Sequence, residues 1–172
     1  IPRYVVGYET ASVQELVHRM LTERGATLAT AESCTGGTLA AKFTAQAGAS
    51  AYFLAGAVAY SNEAKRSMLD VPAATLERWG AVSEQTARAM AEGIRRRTGA
   101  DYAVATTGIA GPAGGTESTP VGTVWIAVAA PRGTTAVLRQ CGTDRGQIID
   151  RAAAFALALL RDALSPEQYP ER

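Results

Sequence analysis

The chain has 172 residues, 47% of them hydrophobic, and its seventeen Lys and Arg against sixteen Asp and Glu leave a formal charge of +1. That length fits one domain around a single core, since domains run to roughly 100–200 residues, and so balanced a charge gives no overall footprint of a nucleic-acid binder. No apolar run approaches the ~18–20 residues of a membrane helix, and no basic start leads into an apolar signal segment, so a cytoplasmic protein without membrane contact is expected.

Alanine fills 35 positions and aromatics only 6%, which predicts a core of small side chains at close backbone spacing. Fifteen cations are Arg, the only lysines are Lys42 and Lys65, and the single histidine is His18. Two cysteines, Cys34 and Cys141, make neither a disulfide framework nor a metal quartet, so no metal cofactor is expected. A Ser-His-Asp triad would have to use His18.

Residues 1–11 mix Pro, Gly, Tyr and polar residues without a sustained period and read as a linker or arm. Ile1 is not a start Met, so either the start was removed or the chain is a piece of a longer protein. From Ser12 to Arg24, Val13, Leu16, Val17, Met20 and Leu21 recur at helical spacing; Ser12 with Glu15 makes a capping box, and Gly25 closes the helix. A small-residue strand follows at 26–33, then CTGG and a helix over 38–46. An apolar run of strand length spans 52–60, a helix starts at 61–69, and Pro72 opens a short helix that ends at Gly80. Residues 83–99 are helical, with Ala87, Met90, Ala91 and Ile94 on one face and Gly99 at the stop. A strand at 101–108 enters a glycine-rich loop, 109–122. Residues 123–130 and 134–141, joined through Pro131-Arg132-Gly133, read as an antiparallel hairpin. A last helix runs from Arg145 to Leu164, and 165–172 is a polar tail. Strands alternate with helices, and the early strands are apolar without clean alternation, as strands covered on both faces are. The expected fold is α/β: a three-layer αβα sandwich over 12–164, its sheet mixed and mostly parallel, with a C-terminal hairpin followed by a helix.

Ligands of open α/β sheets bind beyond the carboxyl ends of the strands, and the chain carries polar residues at such junctions. The first is Glu32-Ser33-Cys34-Thr35-Gly36-Gly37, running into a helix whose freed N–H groups can hold an oxyanion or a phosphate. Ser33 or Cys34 there is a candidate nucleophile; the alternative is a polar cap on a glycine turn. The second is Tyr60, Ser61 or Asn62 as a helix cap, and Lys65 in the first turn. A cation there opposes the helix dipole, which lowers the amine's pKa, and a lysine that loses its proton can act as a base. Taken alone, Lys65 reads more readily as a partner of Glu63 or solvent on an exposed helix than as a base. The third is 106–117, where Gly108, Gly111, Gly114 and Gly115 suit a loop closing over a ligand and Thr106 and Thr107 offer hydroxyls. It has neither P-loop nor dinucleotide spacing, so a plain connecting loop competes. Arg145, after Asp144, can clamp a phosphate or carboxylate, and Asp144 can equally cap the last helix. His18 lies far in sequence from all of these, so Ser33 with Lys65, assisted by Tyr60, has the logic of a Ser–Lys hydrolase.

The ordered blocks TLATAESCTGG, AYSNEAK, GAVSEQTA, TTGIAGPAGG and PVGTVWIAV, spread over about residues 12–164, resemble the CinA C-terminal domain family. That family includes the PncC-like nicotinamide mononucleotide deamidases, which release ammonia from the carboxamide. The resemblance implies an αβα domain without a metal, commonly a homodimer or larger homo-oligomer, with nicotinamide mononucleotide as substrate. It implies Ser33 as nucleophile and Tyr60 and Lys65 as its activating partners. It also implies Thr107 and Gly108 as substrate contacts and Arg145 as a phosphate contact. Glu32, Cys34, Thr35, Gly36, Gly37, Asn62 and Gly111 complete the expected substrate-binding set. One motif departs from the family: Thr143 stands where Gly is usual before Asp144-Arg145. The opening residues resemble the joint that follows an N-terminal domain, similar to molybdopterin-binding domains, in full-length members, which implies such a domain ahead on the same chain. Two alternatives stay open. One is a Cys34 nucleophile with Glu32 and Lys65 in a nitrilase-like trio. The other is a non-catalytic domain that binds a nucleotide or a partner within a competence- or damage-inducible protein.

Overall fold

The computed structural model describes residues 12–165; the arm at 1–11 and the tail at 166–172 lie outside the described residues. Helix α1 spans Val13–Arg24 and opens on the expected capping box: the Ser12 hydroxyl accepts from the Glu15 N–H, the Glu15 carboxylate accepts from Ser12, and Gly25 ends the helix. Strand β1, Leu28–Glu32, leads to α2, Thr38–Thr44, and after a 3-10 turn at Ala49–Ala51 comes β2, Phe53–Val58. Helix α3, Asn62–Leu69, is capped by Ser61; α4 covers Ala73–Trp79, and α5, Glu84–Thr98, is capped by Ser83. Strands β3, Tyr102–Gly108, β4, Thr123–Ala130, and β5, Gly133–Gln140, precede α6, Arg145–Leu164, whose cap is Asp144. Among the described residues, no helix is long and apolar enough to cross a membrane.

The five strands form one sheet in the order β2-β1-β3-β4-β5. β1 is parallel to β2 and β3, whereas β4 is antiparallel to β3 and β5, so four strands share one direction and the hairpin makes the sheet mixed. The carboxyl ends of β1, β2 and β3 therefore meet at one edge, and the loops they feed gather there.

Helices cover both faces, but the faces differ. One packs Leu28, Val104, Val124, Ile126 and Val128 against side chains of α1, α2 and α6. The other presents Ala29, Ala31, Ala103, Ala105, Ala127 and Ala129 to α3, α4 and α5. The strands do alternate, in size instead of polarity, because successive side chains point to opposite faces. Small side chains thus line half of the core, not all of it. At the edge strand the covering is incomplete: Leu54 and Val58 of β2 are 47% and 45% exposed.

Close approach on the alanine side reaches the backbone. A Cβ at Gly93 of α5 would fall 1.7 Å from the Leu69 carbonyl oxygen, so only glycine lets α3 lie this close. Leu69 is buried, and Lys65 sits one turn earlier on the same face of α3. That contact fixes where Lys65 points.

Candidate active site

Ser33 follows β1 directly, and the strand's alternation turns it to the alanine side, where α3 delivers Lys65. Lys65 Nζ donates to Ser33 Oγ at 3.0 Å and to the Ala59 carbonyl at 3.0 Å. Lys65 is 1% exposed and Ser33 8%. Burial lowers the lysine's pKa from its ordinary value, against a weaker opposite pull from Cys34. The cause is desolvation, and Glu63 pairs instead with Arg66 at 3.5 Å, on the solvent side. A buried amine without a carboxylate partner among the described residues, against a serine hydroxyl, is suited to take a proton.

Tyr60, Arg145 and Gly111 form a second group, at the rim. Arg145 donates through Nη2 to the Tyr60 hydroxyl at 3.1 Å and through Nη1 to the Gly111 carbonyl at 2.7 Å. One guanidinium thereby ties the end of β2, the glycine loop and the start of α6. Tyr60 is exposed, and the partner of its hydroxyl is Arg145, not Ser33 or Lys65. Asn62 is the first residue of α3 and exposed, the capping role having gone to Ser61. Thr107, buried at the end of β3, donates to the Ala81 carbonyl at 2.7 Å, and Gly108 ends that strand opposite Val124. The N–H groups of Ile109 and Gly122, bonded to Thr123 and Ile109 carbonyls, close the base of the glycine loop.

Glu32, Cys34 and Thr35 do not join this group. Glu32 is 1% exposed on the other face, where its carboxylate accepts from the Thr35 hydroxyl and from the N–H groups of Gly37, Leu39 and Ala40. The start of α2, expected to hold an oxyanion or a phosphate, already holds a carboxylate from its own chain. Thr35 also meets Thr106 at 2.7 Å, which engages a hydroxyl expected to face ligand. Gly36 and Gly37 have φ of 58° and 101°, backbone that favours glycine. Cys34 packs into the branched core, and burial pushes its thiol up to about 12. A thiol so held is protonated near neutral pH, which weighs against a Cys34 nucleophile. His18 contacts the Tyr52 hydroxyl at 3.2 Å. Among the described residues, no group of His, Cys, Asp and Glu gathers as metal ligands.

The carbonyls of Ala59 and Ala81 were not anticipated as partners of Lys65 and Thr107. Backbone acceptors carry no side-chain signature; only the strand-end position of Ala59, just before Tyr60, hinted at it.

The CinA C-terminal domain model matches residues 10–164. A CinA-like protein of Kosmotoga olearia is 48% identical over 95% of this chain, and one of Anaeromyxobacter dehalogenans 52% over 93%. The chain spans about 40% of the length of these curated relatives. Among solved structures, a competence damage-inducible protein A from Klebsiella pneumoniae superposes with a TM-score of 0.86 at 42% identity, covering 92% of this chain and 100% of that one. The competence/damage inducible protein CihA from Agrobacterium tumefaciens gives 0.84 at 42% identity, over 92% and 98%. Sequence blocks, sheet order and these matches agree, and the chain belongs to the CinA C-terminal domain family.

Proposed function

We propose that the domain is a Ser–Lys amidohydrolase that deamidates nicotinamide mononucleotide to nicotinate mononucleotide and ammonia. The observation that carries this reading is the buried Lys65 Nζ, 3.0 Å from Ser33 Oγ and without a carboxylate partner among the described ion pairs. In its neutral form the amine keeps one N–H on the Ala59 carbonyl and turns its lone pair to the Ser33 hydroxyl. Ser33 Oγ attacks the carboxamide carbon as its proton passes to Lys65. The tetrahedral oxyanion collapses, the C–N bond breaks, and ammonia leaves with the proton from Lys65. Water then attacks the acyl ester; Lys65 takes its proton and returns it to Ser33 Oγ as the carboxylate departs.

Donors for the oxyanion are narrowed by Glu32. With Gly37, Leu39 and Ala40 engaged, the N–H groups of Cys34 and Thr35 are those of the turn without a backbone acceptor among the described residues. A lost donor of this kind typically lowers the rate ~10²–10³-fold. Arg145, held at the rim, supplies the cation for the substrate's phosphate. Ammonia release from nicotinamide, its riboside and its mononucleotide tests the reading. Turnover of the mononucleotide well above the other two supports it. Equal turnover of the riboside removes the phosphate contact, and tight binding without turnover makes the domain a binding module instead.

A further inference from the structure

We propose, building on the amidohydrolase reading, that Glu32 is a positioning residue for Ser33: a buried anion that fixes the nucleophile's turn without touching substrate. Both carboxylate oxygens are engaged. Oε2 accepts from Thr35 Oγ1 at 2.7 Å and from the N–H groups of Gly37 and Leu39 at 3.0 Å each. Oε1 accepts from the N–H of Ala40 at 2.8 Å. Because the Thr35 proton is directed at the carboxylate, the 2.7 Å contact between Thr35 and Thr106 must have Thr106 as donor. The chain of bonds therefore runs one way, from Thr106 on β3 through Thr35 to Glu32 on β1. Ser33 lies inside this frame, its own N–H donating to the Thr106 carbonyl at 3.0 Å. The residue carrying the nucleophile is thus held by β3 through its backbone and by α2 through its neighbour's side chain.

A neutral cap would satisfy the start of a seven-residue helix. A carboxylate 1% exposed, with no ion pair among the described residues, costs more to bury than such a cap. What the carboxylate adds is reach and number: four donors, from residues three to eight positions on, converge on one side chain. It withdraws three backbone donors from any ligand while leaving those of Cys34 and Thr35. Burial lowers the Lys65 pKa and Cys34 pulls it weakly the other way, with Glu32 not among the causes, so the effect of Glu32 on chemistry runs through position.

Glu32→Gln tests this, because an amide offers one accepting oxygen and sets an NH2 group against a donor. The readout is the rate at which a fluorophosphonate probe labels Ser33 in folded protein, with Ser33→Ala as control, together with kcat, KM and the pH profile. Labelling and kcat are expected to fall about 10²-fold, the effect of a nucleophile misplaced by an ångström, with KM and the acid limb of the profile unmoved. Wild-type labelling of Glu32→Gln at Ser33, or a displaced acid limb, overturns the positioning role. A Ser33→Ala control that labels as fast as the wild-type protein overturns the nucleophile reading instead. Should Glu32→Gln fail to fold, Thr35→Val breaks the same frame at one bond, and unchanged labelling there is equally fatal.

Discussion

The two faces of the sheet do different work at the same strand ends. On the branched face, Glu32, Thr35 and Thr106 interlock and bury their polar groups against one another. On the alanine face, Ser33 and Lys65 meet with no carboxylate among the described residues to neutralise the amine. Adjacent residues of one strand, 32 and 33, supply the anchor and the candidate nucleophile because alternation sends them to opposite sides. A site of this kind needs rigidity on one face and an unfulfilled proton acceptor on the other, and small side chains on the second let a helix bring the acceptor in.

Breaking the alanine face at its reactive pair has the largest expected effect. Ser33→Ala and Lys65→Met each lower ammonia release at least about 10³-fold, measured under saturating mononucleotide, and the double variant is little worse because the two act as a unit. Next comes the helix contact that places Lys65. Gly93→Ala drives a Cβ into the Leu69 carbonyl and is expected to destabilise the fold by about 3 kcal/mol in a denaturant titration. Arg145→Ala unties Tyr60 and Gly111. It should raise KM for the mononucleotide roughly tenfold, about 1.4 kcal/mol, and leave the riboside unaffected.

Disturbing the branched face at Cys34 should matter less. With its thiol pushed up to about 12, Cys34→Ala is expected to keep ammonia release within about threefold, since a protonated thiol contributes no nucleophile. A loss as deep as that of Ser33→Ala would transfer the nucleophile to the cysteine. The smallest effect is on pH-dependent stability. The folded Lys65 has a pKa below its ordinary 10.5. At lower pH both states carry the proton and the fold bears the whole burial penalty; between the two values the unfolded chain binds more protons. Stability therefore rises with pH through that window, and the contribution is complete above 10.5. Lys65→Met should flatten that rise in melts recorded across alkaline pH.

Helix ends were legible because their chemistry is local: Ser12 with Glu15, Gly25, Gly99 and Asp144 all act within a turn of themselves. The layered fold was legible for the same reason, from short apolar strands between capped helices. The size alternation of LATAE and IAVA was present in the letters but hidden from a reading by polarity, since alanine, valine and leucine all count as apolar. Ser33 beside Lys65 was reached by elimination, the lone histidine being remote, and by the family resemblance. Their separation of 32 residues exceeds what any local pattern reports. Glu32 is expected as a substrate contact, whereas its acceptors are engaged by the Thr35 hydroxyl and by backbone N–H groups, which carry no side-chain signature. Tyr60 is expected to assist the dyad, and its hydroxyl accepts from Arg145, 85 residues away, a separation no local pattern reports.

The guanidinium at the mouth is already ordered by a phenol and a peptide oxygen before anything arrives. On the proposed reading, an incoming dianion would compete with two neutral acceptors and win on charge, whereas an uncharged analogue would gain nothing by displacing them. Discrimination then arises as an exchange of partners, with little side-chain freedom left to lose on capture. On that reading, departure of the product would restore the original pair, and the entrance would re-form unaided between turnovers.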